Sequence, residues 1–235
     1  MMTVNCLVVT VEATHQSLKQ RLDDATDYAA ARSKAREEYA RTDAFLAATC
    51  RHLAAVDEVL LPSARHRLPE GTERARTYLR QARLLEHATA LLKARLYGEA
   101  HAAYLPWSDV WDQVRRELDR HNELELSIAE ELAGVLDRDE SDDLAERMYR
   151  AEVRAPTRAH PYLPHSGPVG HAARKIWAAA DRFWDTAEGR VVPPPVRPPS
   201  KEHAHDSLVG QYLFGGALLD ADAPVVARRR RHVGR

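Results

Sequence analysis

Four histidines of this chain follow one another at nearly equal distances. The gaps between them are 37, 35 and 34 residues, and the chain between them is rich in helix-forming residues: His15, His52, His87 and His121. Equal gaps of this size are typical of helices that run up and down and return each time to the same height. We therefore predict an all-α fold, an up-down-up-down four-helix bundle with the four imidazoles in one layer. Each segment of about 17 residues between a histidine and the neighbouring turn would form a helix near 25 Å long.

The turns that this arrangement requires can be compared with independent loop signals. The midpoints between successive histidines lie at 33–34, 69–70 and 104. The second midpoint falls inside LPEGT (68–72) and the third at the start of YLPWSD (104–109), two stretches with Pro or Gly. The first has only the weak signal ARSKA (31–35), and a further break is predicted at 137–143. Only residues 6–11 alternate in a way that would suit a strand.

One carboxylate shares a helix face with the fourth histidine. In HNELE, His121 and Glu125 are four residues apart, so both side chains point to the same side of a helix. A histidine and a glutamate one turn apart, pointing into a bundle, are how such folds build iron and manganese sites. Imidazole and carboxylate together suit iron, manganese or zinc. The layer is therefore a candidate metal site, and hydrogen-bonded core histidines are the alternative.

The composition is that of an ordinary soluble protein. The chain has 235 residues, 44% hydrophobic and 29% charged, and its formal net charge of -1 gives no global attraction to nucleic acid or an anionic membrane. Two cysteines are too few for a disulfide framework or a cysteine-based metal site. No apolar run approaches the roughly 18 residues of a membrane span, and no targeting pattern flanks the first residues. We expect a cytoplasmic protein without nucleic-acid or membrane partners.

Three regions differ in composition. Residues 1–155 are predicted to form the bundle. Residues 156–190 form an extension in which AARKIWAAADRFWDTAEGR is amphipathic and is predicted to dock on the bundle as a helix. Residues 191–235 begin with VVPPPVRPPS, predicted to be an extended polyproline linker, and end in a basic tail predicted to be solvated.

Two segments of the chain resemble the His-x3-Glu segments of the hemerythrin-like (HHE cation-binding) family. They are CRHLAAVDEVLLPSARHRLP (50–69) and DRHNELELSIAEEL (119–132), and residues 154–190 resemble an extension found in a bacterial subset of the family. The resemblance covers about residues 10–190. It implies a four-helix bundle around a non-heme iron centre, commonly with two ions held by histidines and bridging carboxylates. Such centres bind oxygen, sense oxygen, nitric oxide or iron, or react with peroxide.

Carried over residue by residue, the resemblance implies five metal ligands: His15, His52, His87, His121 and Glu125. The chain departs from the family at Val56, where the first His-x3-Glu segment expects a glutamate that would bridge two irons. Asp57 is the candidate replacement and the sixth predicted ligand. It lies five residues after His52, about 140° around an ideal helix, so it needs a local distortion such as a π-bulge.

The sequence leaves three functions open. The first is a protein that binds or senses dioxygen or a related small molecule at a non-heme iron site, with two ions or a modified centre; manganese and zinc are alternative metals. The second is an iron-dependent oxygenase, oxidase or peroxide-reactive enzyme, which a cavity beside the histidines would favour. The third is a metal-free helical interaction module, which outward-pointing histidines would favour. The sequence does not specify an oligomeric state.

Overall fold

A computed structural model describes residues 5–30, 35–158 and 192–199, and every regular element within these ranges is helical. In chain order the elements are α1 (Cys6–Ala30), α2 (Ala35–Ala55), a π-helical turn (Val56–Leu60), α3 (Leu61–Arg67), α4 (Gly71–Leu96), α5 (Trp107–Val135) and α6 (Arg138–Arg154). The all-α prediction is confirmed for this part of the chain. Residues 6–11, the one strand-like stretch, lie in α1.

Two of the predicted breaks agree with the ends of helices, whereas most of the break predicted at 137–143 lies within α6. Helix α3 ends just before LPEGT and α4 begins within it, at Gly71. This glycine is required because a Cβ there would lie 2.0 Å from the carbonyl oxygen of Ala64. Helix α5 begins at Trp107, inside YLPWSD, and α6 begins at Arg138. The weak first break lies between Ala30 and Ala35, where the intervening residues are outside the described ones.

Helix α5 shows how the sequence directs one face of a helix inward. Seven of its ten buried residues form a stripe with spacings of three and four, as an amphipathic helix requires: Val110, Val114, Leu118, His121, Glu125, Ile128 and Leu132. The two polar members of this stripe occupy positions where the other five are apolar. Helix α5 therefore carries an imidazole and a carboxylate into the hydrophobic core.

The helices pack around one core. Helix α1 packs against α2, α5 and α6, while α4 packs against α5, α3 and α2. Helix α6 also packs on α2 and on the π-helical turn. Its first turn is closed by a capping box, in which Asp137 accepts from the Glu140 backbone N–H at 2.8 Å and Glu140 accepts from that of Asp137 at 3.1 Å. This cap fixes the start of α6, the helix that lies over α1 and α2.

The proline-rich segment packs on the helices at two points. The Arg51 guanidinium of α2 donates to the carbonyl oxygen of Pro193, and Arg197 lies 5.7 Å from the ring centre of Tyr149 on α6. The contacts between residues group the chain into two units, Met1–Pro198 and Pro199–Arg235. Residues 192–198 thus belong with the helices, whereas the sequence suggested a linker beginning at 191.

The extension helix predicted within 156–190 and the basic tail lie outside the described residues. None of the described helices combines the length and apolarity that crossing a lipid bilayer demands.

Candidate metal centre

Three histidines and one glutamate converge in the interior of the helices. His15 comes from α1, His52 from the end of α2, and His121 and Glu125 from adjacent turns of α5. All four are buried, with 7% of His15, 1% of His52 and none of the α5 pair exposed. One potential ligand atom from each residue lies within 4.8 Å of the other three. Among the described residues these four form a group that could hold a metal ion.

The three imidazoles surround a single carboxylate oxygen. The Oε2 atom of Glu125 lies 2.8 Å from the Nε2 of His52, 3.1 Å from that of His15 and 3.2 Å from that of His121. The ring centres of the histidines are 5.5–6.1 Å apart, and their planes are steeply inclined to one another. The Nε2 atoms therefore approach the same point from three directions.

This donor set fits a metal ion. Nitrogen and oxygen ligands bonded to one ion at about 2.1 Å lie roughly 3–4 Å apart, close to the present spacing of the Nε2 and Oε2 atoms. Two further atoms of the cluster, Glu125 Oε1 and His121 Nδ1, are buried without a hydrogen-bond partner in the described part of the chain. A set of three imidazoles and one carboxylate suits iron, manganese or zinc.

The charges of the cluster are strongly coupled. Burial alone would lower the pKa of His52, but the carboxylates of Glu125 and Glu152 outweigh it and raise that pKa to about 10. Burial opposes ionisation of Glu125, yet the adjacent His52 and His15 hold its pKa well below the usual range. Without a metal, His52 is thus a buried imidazolium that donates to both carboxylates.

His121 differs from His52 in its electrostatic environment. Its pKa is lowered, first by burial and then by the neighbouring His52 and His15, against the opposing effect of Glu125. The Tyr78 hydroxyl lies 3.5 Å from the His121 Nε2, and the two ring centres are 5.0 Å apart. Burial, together with nearby carboxylates including Glu125, raises the Tyr78 pKa well above its usual range. His121 is therefore a neutral imidazole, the form that ligates metals.

A helix distortion of the kind that Asp57 would need as a ligand is present after His52. The π-helical turn starts at Val56, directly after α2, and contains Asp57. Pro62 follows shortly afterwards, and its missing N–H and its ring disfavour regular α-helix in the preceding turn. Asp57 is 8% exposed and acts electrostatically on Tyr78. It is not among the four clustered residues, so its role as a ligand stays a prediction, while Val56 is fully buried in the apolar core.

His87 is a predicted ligand that the structure places on the exposed side of α4. It is exposed on α4, whose buried face includes Leu85 and Ala88. Residue 87 lies about 200° around the helix from residue 85, so its side chain points away from the core. The inward position that α4 contributes near the cluster is taken by Tyr78. The expectation of a layer of four histidines is therefore corrected to three.

Glu152 is a residue near the site that the sequence analysis did not identify. Its Oε1 atom lies 2.8 Å from the Nδ1 of His52, and the residue is only 6% exposed. A signal for it exists in the sequence, because Glu152 continues the buried stripe of α6 that includes Leu144 and Met148. A charged residue at an apolar position of an amphipathic helix indicates a buried partner.

A cavity of about 110 Å³ lies between the start of α4 and α5. Its lining residues are Glu70, Glu73, Arg74, Thr77, Leu124 and Ile128. None of them belongs to the histidine cluster, so this cavity is not the substrate pocket beside the histidines that an enzyme would need.

Comparisons of the chain with protein-family models, with curated proteins and with solved structures found no match. The function of the chain is therefore inferred from the geometry of the site.

Proposed function

We propose that this chain is a hemerythrin-like protein whose helices form a four-helix bundle around a single non-heme metal ion, iron in the first instance. The convergence of three imidazole Nε2 atoms on one oxygen of Glu125, at 2.8–3.2 Å, carries this proposal. The ligands would be His15, His52, His121 and Glu125. The function would be to bind or sense dioxygen or a related small molecule.

Two features favour one ion over two. Val56 supplies an apolar side chain where a bridging carboxylate is expected, and it is fully buried in the core. His87, the expected ligand from α4, faces away from the cluster. A second ion would thus lack one bridging carboxylate and one imidazole, whereas the first has four ligands already gathered.

The protein residues would prepare the site in three ways. Burial excludes water, the neutral His121 offers its lone pair, and the ionised Glu125 supplies negative charge. His52 must release its proton before its Nε2 can ligate, so affinity for the metal should rise with pH. Bound iron would supply coordination positions beyond the four protein ligands, where a small molecule can bind.

A second candidate function, the metal-free helical module, is favoured by a different observation. The imidazolium of His52 already donates to Glu125 and Glu152 at 2.8 Å each, and His15 also has a carboxylate partner. A buried polar network with most of its groups satisfied can stand without a metal and can fix the arrangement of the helices.

The metal content of the purified chain distinguishes these functions. The protein would be prepared anaerobically, incubated with ferrous iron, desalted and analysed for bound metals, with absorption spectra before and after air. We expect about one iron per chain and near-ultraviolet bands that change on exposure to air. In His121→Ala the iron content should fall severalfold, whereas His87→Ala, a substitution of the same type on the surface, should keep the wild-type content.

Equal iron in wild type and His121→Ala would refute the proposed ligands. Absence of bound iron, manganese and zinc from the wild-type chain would refute the metal centre and favour the metal-free module.

A further inference from the structure

We infer that Glu152 is a positioning residue that holds His52 in the orientation required for metal binding. This inference rests on the proposed function, because it assigns a role within the same site. Glu152 would not touch the metal, since it contacts the Nδ1 edge of the ring while Nε2 faces the cluster. It would act on the metal only through His52.

The geometry around His52 fixes the ring at both ends. The Nδ1 atom lies 2.8 Å from Glu152 Oε1, and the Nε2 atom lies 2.8 Å from Glu125 Oε2. An imidazole can rotate about its bond to Cβ and can carry its proton on either nitrogen. A carboxylate that accepts from Nδ1–H removes both freedoms, because it selects the tautomer with a free Nε2 and the ring rotation that directs Nε2 inward.

Within the described residues, no carboxylate contacts the Nδ1 atom of either of the other two histidines of the cluster. The Nδ1 atom of His121 is buried without a partner in the described part of the chain. The contact recorded for His15 is the one from its Nε2 to Glu125. Support by a carboxylate at Nδ1 is thus seen at His52, the ligand adjoining the π-helical turn, where the regular helix geometry ends.

Helix α6 takes part in the site through Glu152. Helix α6 supplies none of the four clustered residues, yet it packs on α1, on α2 and on the π-helical turn. Glu152 lies next to Ala151 and one turn after Met148 on the buried face, where an apolar side chain would pack without loss. A carboxylate at that position requires a buried partner, and His52 is that partner.

Cobalt(II) titration of the full chain tests this inference, because cobalt(II) occupies nitrogen and oxygen sites and its visible bands report the ligand geometry. Removing a carboxylate that supports a ligating histidine weakens metal binding by about 10–100-fold in general. We expect this loss in Glu152→Ala, together with altered visible bands. Glu152→Gln keeps an oxygen that can accept from Nδ1–H, so its affinity should lie between those of the alanine variant and wild type. Glu146→Gln, on the same helix and paired with Arg150 at the surface, is the matched control and should bind as wild type does.

Each result decides whether Glu152 positions His52 for metal binding or only stabilises the folded protein. If Glu152→Ala and Glu152→Gln both show the wild-type dissociation constant and visible bands, the inference is overturned, even where the variants are less stable in urea. If Glu152→Ala does not fold, altered bands and weaker binding in Glu152→Gln alone support the inference, and wild-type values overturn it.

The same titration distinguishes failure of this inference from failure of the proposed function. Wild-type affinity in both Glu152 variants, with lost binding in His121→Ala, would overturn the role of Glu152 and leave the metal site intact. No cobalt binding by the wild-type chain would remove the proposed metal site and the inference together.

Discussion

Replacement of His52 by alanine should strongly destabilise the metal-free protein. The side chain is 1% exposed and donates to Glu125 and Glu152, which are themselves buried. Alanine would leave both carboxylates without this partner and would open a cavity between α2, α5 and α6. Removing one member of a buried ion pair usually costs about 3–5 kcal/mol. The rise in the His52 pKa from 6.5 to about 10 corresponds to an upper bound of about 5 kcal/mol, in agreement with that range.

The loss should also depend on pH. Because the pKa of His52 is higher in the folded than in the unfolded protein, its contribution to stability is fully present below about pH 6.5. It decreases as the pH rises and is lost as the pH passes through about 10. The free energy of unfolding of wild type should therefore fall between pH 7 and 10, and most of this decline should be absent from His52→Ala.

Urea denaturation of chelator-treated protein, followed by far-ultraviolet circular dichroism at several pH values, measures both effects. His87→Ala is the matched control, because the same side chain is removed from an exposed position and should change stability by no more than about 0.5 kcal/mol. Equal stability of the two variants at pH 6, or a wild-type dependence on pH in His52→Ala, would contradict the stabilising role of His52.

Three further outcomes can be measured on the same protein. Gly71→Ala should lower the free energy of unfolding by about 1–3 kcal/mol, because the added methyl group meets the carbonyl oxygen of Ala64. Gly134→Ala should raise it by about 0.5–1 kcal/mol, because the methyl group there enters open space on a helix. Equal effects of the two substitutions in urea denaturation would contradict this packing. Asp137→Ala should remove the capping box of α6 and lower the melting temperature by about 2–4 °C, and an unchanged calorimetric transition would argue against the cap. Tyr78→Phe should keep the wild-type iron content, because the hydroxyl lies at the limit of hydrogen bonding to His121; lost iron would instead make Tyr78 a ligand.

The sequence predicted the helices well because helix formers and breakers act locally. LPEGT and YLPWSD marked real ends of helices, since the conformations that Pro and Gly favour do not depend on distant residues. The π-helical turn after His52 agrees with the distortion that Asp57 would need as a ligand, although that role of Asp57 stays a prediction. These predictions required only the geometry of a single helix.

The candidate site was predicted in part. Equal spacing did not give the register of α4 or its rotation. Tyr78, nine residues before His87, is the residue of α4 that contacts His121, so His87 lies roughly 13 Å further along the helix and on its exposed side. Glu152 was missed for another reason. Its partner lies 100 residues away, and no pattern within α6 alone specifies which helix that buried carboxylate will meet.

The spread of the site along the chain has a consequence for its biosynthesis. His15 is made before Glu152, which follows 137 residues later, and at ordinary rates of translation this interval takes on the order of ten to thirty seconds. During that interval α1 and α2 can form while the carboxylates that pair with their histidines are still unmade. The four clustered residues are all present only once α5 has been synthesised, and Glu152 can support His52 only after α6 has been made and packed. A metal ion with all four ligands would therefore be taken up after α5 has been made.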